Sequence, residues 1–260
     1  MGQARDRVFE LSKWYADCVS DDGEVLIGYS GQLRYRRFSV HYESVIAPPA
    51  ATHSLGRSSI TASGDRIDWH SPGLLFRGQW QRHSGEIRET IFKSGQGAVE
   101  WHCVVPKGMA AVERPEHPTL RGWGYVEHLR LTIPPWRLPI QTLRWGRFLS
   151  ERNTLIWIDW QGGFRNRIVY WNGLCAPAAS IENDGLWLED GTRATFGREK
   201  VLRQGTLGST VLHAIPGLER IAPARIFLVD ECKWLSRASL ERAEEEADRG
   251  WCIHEEVTWP

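Results

Sequence analysis

Two carboxylates lie in segments whose sequence is typical of β-strands, and both have aromatic neighbours. The first is in GWGYVEHLRLT (122–132), where Tyr125 and Glu127 are two positions apart. Successive side chains of a strand point to opposite faces, so these two share a face with Leu129. This face is the more apolar one, and we expect it to point inward. Burial in an apolar interior favours the protonated carboxyl, which can transfer a proton to an alkene or an enol.

The second carboxylate is Asp159 in TLIWIDWQGG (154–163). It shares a strand face with Trp157, whereas Trp160 lies on the opposite face. An aspartate within such an apolar strand needs a partner, and arginines follow directly in FRNR. The sequence therefore leaves two roles open, a structural ion pair and a site acid.

A histidine and several tryptophans complete the candidate site. His102, in WHC (101–103), is a candidate base or a hydrogen-bonded structural residue. The chain has 14 Trp, and the π face of a tryptophan stabilises a nearby cation by about 0.5–2 kcal/mol. The tryptophans closest to the candidate acids are expected to bind the substrate: Trp101, Trp123, Trp157 and Trp160.

Internal similarity indicates two related halves. WYADCVSDDGEVLIGYSGQL (14–33) aligns with WGRFLSERNTLIWIDWQGGF (145–164) at an offset of 131, and GWGYVEHLRLT (122–132) aligns with GWCIHEEVTW (250–259) at 128. The prolines of IPPWRLP separate the halves, since proline ends strands. We predict domains at 1–135 and 136–260. Glu127 recurs as Glu255, which indicates a structural role, whereas Ile253 replaces Tyr125.

Each half contains about six short segments that alternate apolar and polar residues between Gly, Ser and Asp turns. The pattern predicts a mainly β protein with an antiparallel barrel or sandwich in each half. One helix is predicted over 239–249 as a solvated lid or plug. Its cap is Ser236 or Ser239, and LERAEEEADRG (240–250) follows and ends at Gly250.

The order of these segments resembles the AttH / carotenoid 1,2-hydratase superfamily, on the residues WHC (101–103), GYVE (124–127) and the IPPWRLP–RWGRF junction. The resemblance implies two tandem lipocalin-like domains, a fold shared with tocopherol cyclase and with lipocalin-like Diels–Alderases. It also implies a site at Trp101, His102, Tyr125 and Glu127. The chain departs from the family pattern in having Trp and His adjacent and Glu in place of Asp.

Composition narrows the possible partners. Lys+Arg and Asp+Glu are both 32, which argues against a dedicated nucleic-acid or anionic-membrane surface. No apolar run approaches the roughly 18 residues needed to span a bilayer, so we expect no stable membrane insertion. The five widely spaced cysteines predict free thiols and a cytoplasmic location. The spacing of His and Cys predicts no metal site, and the sequence has no nucleotide-binding loop, so we expect no cofactor.

These features predict a cofactor-independent lyase or isomerase that acts on an apolar small molecule, such as a terpenoid or polyketide. Two alternatives stay open: a binding protein for a lipid-like ligand, and an interaction scaffold whose barrels are filled by side chains.

Overall fold

The computed structural model describes residues 9–260, which form two curled, ten-stranded antiparallel sheets. The first sheet contains β1 (Phe9–Val19), β2 (Val25–Tyr35), β3 (Phe38–Ala47), β4 (Ala50–Ser54), β5 (Ser59–Ser63), β6 (Arg66–Ser71), β7 (Phe76–Arg82), β8 (Ile87–Ser94), β9 (Gly97–Glu113) and β10 (Leu120–Leu131). The second contains β11 (Thr142–Leu149), β12 (Thr154–Gln161), β13 (Asn166–Trp171), β14 (Leu174–Cys175), β15 (Ala178–Ile181), β16 (Gly185–Leu188), β17 (Arg193–Phe196), β18 (Lys200–Thr206), β19 (Asp230–Glu241) and β20 (Asp248–Thr258). The predicted mainly β fold with two lipocalin-like halves is confirmed.

The two sheets have the same topology. The first runs β4-β3-β2-β1-β10-β9-β7-β6-β5 with β8 on β9, and the second repeats this order with ten added to every strand number. Strand register corrects the sequence alignment by one residue. Tyr15 pairs with Glu127 and Trp145 pairs with Glu255, so Tyr15 is equivalent to Trp145 at an offset of 130 and not 131. A slip of one residue would turn every side chain of β11 to the opposite face.

A short connection joins the sheets between β10 and β11. It contains a 3₁₀ turn at Pro135–Arg137, where the proline ring fixes the backbone and lacks a donor. The predicted domain boundary after residue 135 falls in this connection. Independent folding of the two halves stays a prediction.

The predicted helix over 239–249 is wrong. These residues end β19, turn, and begin β20, because Leu240 and Asp248 pair across the hairpin and are both buried. Strand pairing and burial therefore override the helical propensity of this acidic segment. The two helices, α1 (Leu207–Thr210) and α2 (Ala224–Phe227), are single turns between β18 and β19. Within residues 9–260, no helix is long and apolar enough to cross a membrane.

Each curled sheet encloses an apolar core of its own, and the opposite faces of the two sheets pack together in a third, shared apolar core. Asp17 and Arg147 occupy equivalent positions in the two sheets, because Asp17 pairs with Tyr125 in the first sheet and Arg147 pairs with the corresponding Ile253 in the second. Their side chains form a fully buried ion pair in which Arg147 Nη2 donates to Asp17 Oδ1 at 2.6 Å. The two sheets are thus joined by one buried ion pair as well as by apolar packing.

Candidate functional site

A partly enclosed cavity of about 280 Å³ lies where the two sheets pack against each other. Strands of both sheets line it, and the segment 207–229, which we call the cap, covers it with Leu207, Val211, Leu212 and Ile226. In the first sheet the equivalent connection, from β8 to β9, is a tight turn at residues 94–97. The cap is therefore an insertion specific to the second half, and it helps to exclude solvent from the cavity.

A larger depression of about 1160 Å³ lies on the surface around Trp123 and Trp251. Its acidic lining residues, Asp21, Glu151 and Asp184, are exposed to solvent. The enclosed cavity instead contains buried carboxylates, and it is the better candidate for chemistry because a low dielectric strengthens electrostatic effects.

Glu127 lies on the wall of the enclosed cavity and is held by two neutral donors. Tyr125 Oη and Trp101 Nε1 each donate to Glu127 Oε2 at 2.6 Å. The side chain of Glu127 forms no ion pair with the described residues, and its Oε1 accepts no hydrogen bond from them. One carboxylate oxygen is thus fixed in place, and the other is left for a ligand.

Tyr125 lies behind Glu127 and is completely buried. Burial, together with the nearby Cys103 and Glu127, raises its pKa well above the ordinary value. The phenol therefore stays protonated and acts as a donor to Glu127. Tyr125, Glu127 and Leu129 share one face of β10, as predicted, but this face meets the second sheet, where Tyr125 packs in the shared core and the other two line the cavity. Val126, on the opposite face, packs in the core that the first sheet forms alone, so the prediction that the Tyr125 face points into the first barrel is wrong.

Two ion pairs line another part of the wall. Lys233 binds Glu255, and Arg203 Nε lies 2.9 Å from Glu231 Oε1. Burial opposes ionisation of Glu255, but the charges of Lys233, Lys13 and Arg203 outweigh it and hold its pKa below the ordinary value. Glu255 is therefore a neutralised anion within a salt bridge.

Lys13 is the cavity cation that lacks such a partner. It lies on β1 with its Nζ 5.8 Å from the centre of the Tyr29 ring, and it forms neither an ion pair nor a hydrogen bond with the part of the chain that the structure describes. Burial lowers its pKa, and the carboxylates of Glu255 and Glu127 only partly offset this effect.

Two glutamates at equivalent positions in the two halves have different binding partners in the structure. Glu127 and Glu255 occupy the same position in the two halves. Glu255 is held by a lysine, whereas Glu127 is held by a tyrosine and a tryptophan. Glu255 Oε1 likewise accepts no hydrogen bond from the described residues, so Glu127 differs in being held by two neutral donors and not by a cation.

Two predicted catalytic residues lie outside the cavity. His102 points to the other side of β9 from Trp101, and its Nε2 lies 2.8 Å from Glu86 Oε2 at the surface. Asp159 is buried on the face of β12 opposite to the cavity, where Gln161 Nε2 donates to it at 2.6 Å and Arg167 Nε lies 3.4 Å away. The ion-pair alternative for Asp159 is the one observed.

Two of the four tryptophans predicted to bind the substrate line the cavity, and two lie elsewhere. Trp101 and Trp160 line the cavity. Trp157 packs instead in a separate core, stacked on Phe196 at 5.1 Å, where a Cβ on Gly146 would lie 2.2 Å from its ring. Trp123 lies under Lys107 Nζ, 4.4 Å from its ring centre, at the surface depression. The structure does not bring these last two to the cavity.

Sequence reasoning missed the polar wall. The alternation of FELSKWY in β1 places Leu11, Lys13 and Tyr15 on one face, and this signal could have identified the lysine. Arg203 and Lys233 had no such signal, because their contacts depend on the packing of one sheet against the other. Among residues 9–260, no cluster of three or more His, Cys, Asp or Glu could hold a metal ion.

Comparison with solved structures identifies the fold. The chain is similar to CghA at 9% identity and a TM-score of 0.60, over 96% of this chain and 88% of that one. It is similar to kievitone hydratase from Nectria haematococca at 10% identity and a TM-score of 0.59, over 95% and 88% of the two chains.

An AttH candidate from Nitrosomonas europaea is similar at 10% identity and a TM-score of 0.54, over 99% of this chain and 96% of that one. At such low identity the likeness shows the fold, and at that level it confirms the resemblance drawn from the sequence. No protein-family model matches the chain. No curated protein matches it either.

Proposed function

We propose that the protein is a cofactor-independent, hydratase- or cyclase-like enzyme that binds a small molecule in the enclosed cavity and transfers a proton to or from it through Glu127. The observation that carries the proposal is the geometry of Glu127. Its Oε2 is fixed by Tyr125 and Trp101, while its Oε1 has no donor among the described residues.

This arrangement suits general acid–base catalysis. Two donors on one oxygen orient the carboxyl and stabilise negative charge on it, and the second oxygen carries the proton that is exchanged with the ligand. Tyr125 keeps its own proton because burial raises its pKa. It therefore acts as a positioning residue for Glu127.

The walls supply the remaining requirements of such a reaction. The cap and the apolar side chains of both sheets exclude water, which strengthens every electrostatic interaction in the cavity. Trp101 and Trp160 present aromatic surface to the ligand, and aromatic faces stabilise developing positive charge. The name of kievitone hydratase, a structure with the same fold, supports the reaction class.

The test compares the ligand that co-purifies with the wild type and with Glu127→Gln. The amide keeps the size of the side chain and an acceptor for Tyr125 but cannot exchange a proton. We expect the wild type to carry or release a converted compound and the variant to retain its unconverted precursor, as measured by native mass spectrometry and chromatography of the extract. The same unconverted ligand in both proteins would identify a binding protein instead.

A matched control is His102→Gln. This side chain lies at the surface with Glu86, outside the cavity. The variant should convert the ligand as the wild type does. Loss of conversion in His102→Gln with retention in Glu127→Gln would contradict the assignment.

A further inference from the structure

Several polar groups of the cavity wall lack a hydrogen-bond partner. They are Tyr29 Oη, Ser44 Oγ, Trp145 Nε1 and Trp259 Nε1, which are buried without a partner among the described residues although their side chains line the cavity. Lys13 Nζ, on the same wall, also lacks one. Buried polar groups in native proteins are nearly always paired, so a concentration of unpaired groups at one cavity requires an explanation.

These unpaired groups are all available as hydrogen-bond donors. An indole N–H and an ammonium group can only donate, and a hydroxyl whose surroundings offer no acceptor is also available as a donor. Burial raises the pKa of Tyr29, so its phenol stays protonated. Of the carboxylates on the wall, Glu231 and Glu255 bind Arg203 and Lys233, while Glu127 Oε1 and Glu255 Oε1 accept no hydrogen bond from the described residues. The unpaired donors of the wall still outnumber these two unpaired acceptor oxygens.

Most of these donors belong to one continuous patch. Lys13 Nζ lies 5.8 Å from the Tyr29 ring centre, and the Tyr15 ring lies 5.3 Å from Tyr29 and 5.2 Å from Trp145. Tyr15 itself is satisfied, because it donates to Asp17 Oδ2 at 2.8 Å. A ligand that reaches this patch meets Lys13 and Tyr29 on the neighbouring strands β1 and β2 of the first sheet, and Trp145 on β11 of the second sheet.

We propose that the ligand presents hydrogen-bond-accepting oxygens, in the form of a carbonyl or enolate group, to Lys13, Tyr29 and Trp145, while its carbon skeleton lies against the apolar wall. The inference rests on the proposed function, because it names the substrate class of the same cavity. A pure hydrocarbon would leave all of these donors unpaired. An oxygenated compound satisfies them and places its carbonyl-bearing end on the wall that also carries Glu127.

Because these donors lack partners within residues 9–260, the proposal can be tested by the stability of variants as well as by their ligand affinity. Tyr29→Phe removes a hydroxyl that has no partner among the described residues. Lys13→Met removes a half-buried cation that forms no hydrogen bond or ion pair with them. Neither change removes a hydrogen bond or an ion pair within residues 9–260, and Lys13→Met gives up only a weak attraction to the Tyr29 ring, Glu255 and Glu127. The midpoint of thermal unfolding of the ligand-free protein should therefore change little in either variant. Residues that weaken binding when replaced, but do not contribute to stability, are retained for the ligand.

The test uses two probes that differ in one carbonyl group, 9-fluorenone and fluorene. Affinities are measured by titration calorimetry for the wild type, Tyr29→Phe, Lys13→Met and the surface control Lys107→Met. We expect the wild type to prefer fluorenone, and each cavity variant to weaken fluorenone about three- to tenfold while leaving fluorene unchanged. Lys107→Met should keep the wild-type preference.

Equal affinity of the wild type for both probes, or a preference that survives in both cavity variants, would overturn the inference. Because these titrations measure binding without turnover, such a result would not bear on the proton-transfer role of Glu127, which the Glu127→Gln comparison tests separately. Binding of neither probe up to its solubility limit would count against the cavity as a site for such ligands, and so against the inference.

Discussion

The buried ion pair between Asp17 and Arg147 gives the sharpest prediction about stability. Both side chains are fully buried. Arg147 Nη2 and Nε donate to the two carboxylate oxygens at 2.6 and 3.2 Å, and Arg147 Nη1 donates to the carbonyl of Trp251 at 3.0 Å. Tyr15 Oη adds a further bond to Asp17. The pair is thus almost completely satisfied.

Arg147→Met removes the cation and leaves the Asp17 carboxylate buried with one remaining side-chain donor, Tyr15. Breaking a buried pair on one side costs about 3–5 kcal/mol, because the surviving charge is uncompensated. A natural domain is stable by about 5–15 kcal/mol, so this single change should remove a large share of the total. Asp17→Leu should cost a similar amount for the reciprocal reason.

The double variant Asp17→Leu/Arg147→Met removes both charges and should recover most of the loss, since apolar replacement of a buried pair is often close to neutral. Urea unfolding followed by tryptophan fluorescence gives the free energies for all four proteins. A loss below about 1 kcal/mol in Arg147→Met, or a double variant as unstable as the sum of the single ones, would refute the reasoning.

Three further predictions follow from groups outside the ion pair. His254 is buried and its pKa is lowered to about 4, chiefly by burial, so the unfolded chain binds the proton more readily. Stability should therefore fall by about 2 kcal/mol from pH 7.5 to pH 5 in urea unfolding. His254→Gln should flatten this dependence, and an unchanged slope would contradict the assignment. Cys175 is exposed, whereas Cys18 is buried and its pKa is raised to about 12 by burial. Mass spectrometry after brief iodoacetamide treatment at pH 8 should find Cys175 labelled and Cys18 unlabelled in the folded protein, and equal labelling would be inconsistent with the structure. Trp145→Phe deletes an unpaired Nε1 donor and replaces the ring that packs on Tyr15 and Tyr125 under Lys233 by a smaller one. The lost packing alone should cost about 0.5–3 kcal/mol in urea unfolding, and a loss well above this range would contradict the absence of a partner for the indole N–H.

The repeat and the fold class could be predicted from sequence because they depend on local patterns. Strand alternation and the recurrence of GWGYVEHLRLT as GWCIHEEVTW report which face of each strand is buried. The offset error at Trp145 arose because matching tryptophans does not fix strand register, which the pairing of Tyr15 with Glu127 and Trp145 with Glu255 does fix. The acidic hairpin was misread as a helix because charge-rich sequence is compatible with both structures.

The candidate site was only partly predictable. Glu127, Tyr125 and Trp101 were found because they lie on neighbouring strands of one sheet with clear alternation. The polar wall and the cap were missed because they form when two distant halves of the chain pack together. Trp157 and Asp159 were misplaced because an apolar strand of this barrel is buried on both faces, so apolar character does not identify the face that lines the cavity.

The most direct test of the central claim is solvent deuterium incorporation into the cavity ligand. Wild type and Glu127→Gln are each incubated in D₂O with the compound that co-purifies with the variant, and the compound is analysed by mass spectrometry. The proton-transfer role of Glu127 predicts that the wild type introduces deuterium and that Glu127→Gln, although it binds the ligand, does not. Equal incorporation by both proteins, or none by a wild type whose cavity is occupied, would contradict it.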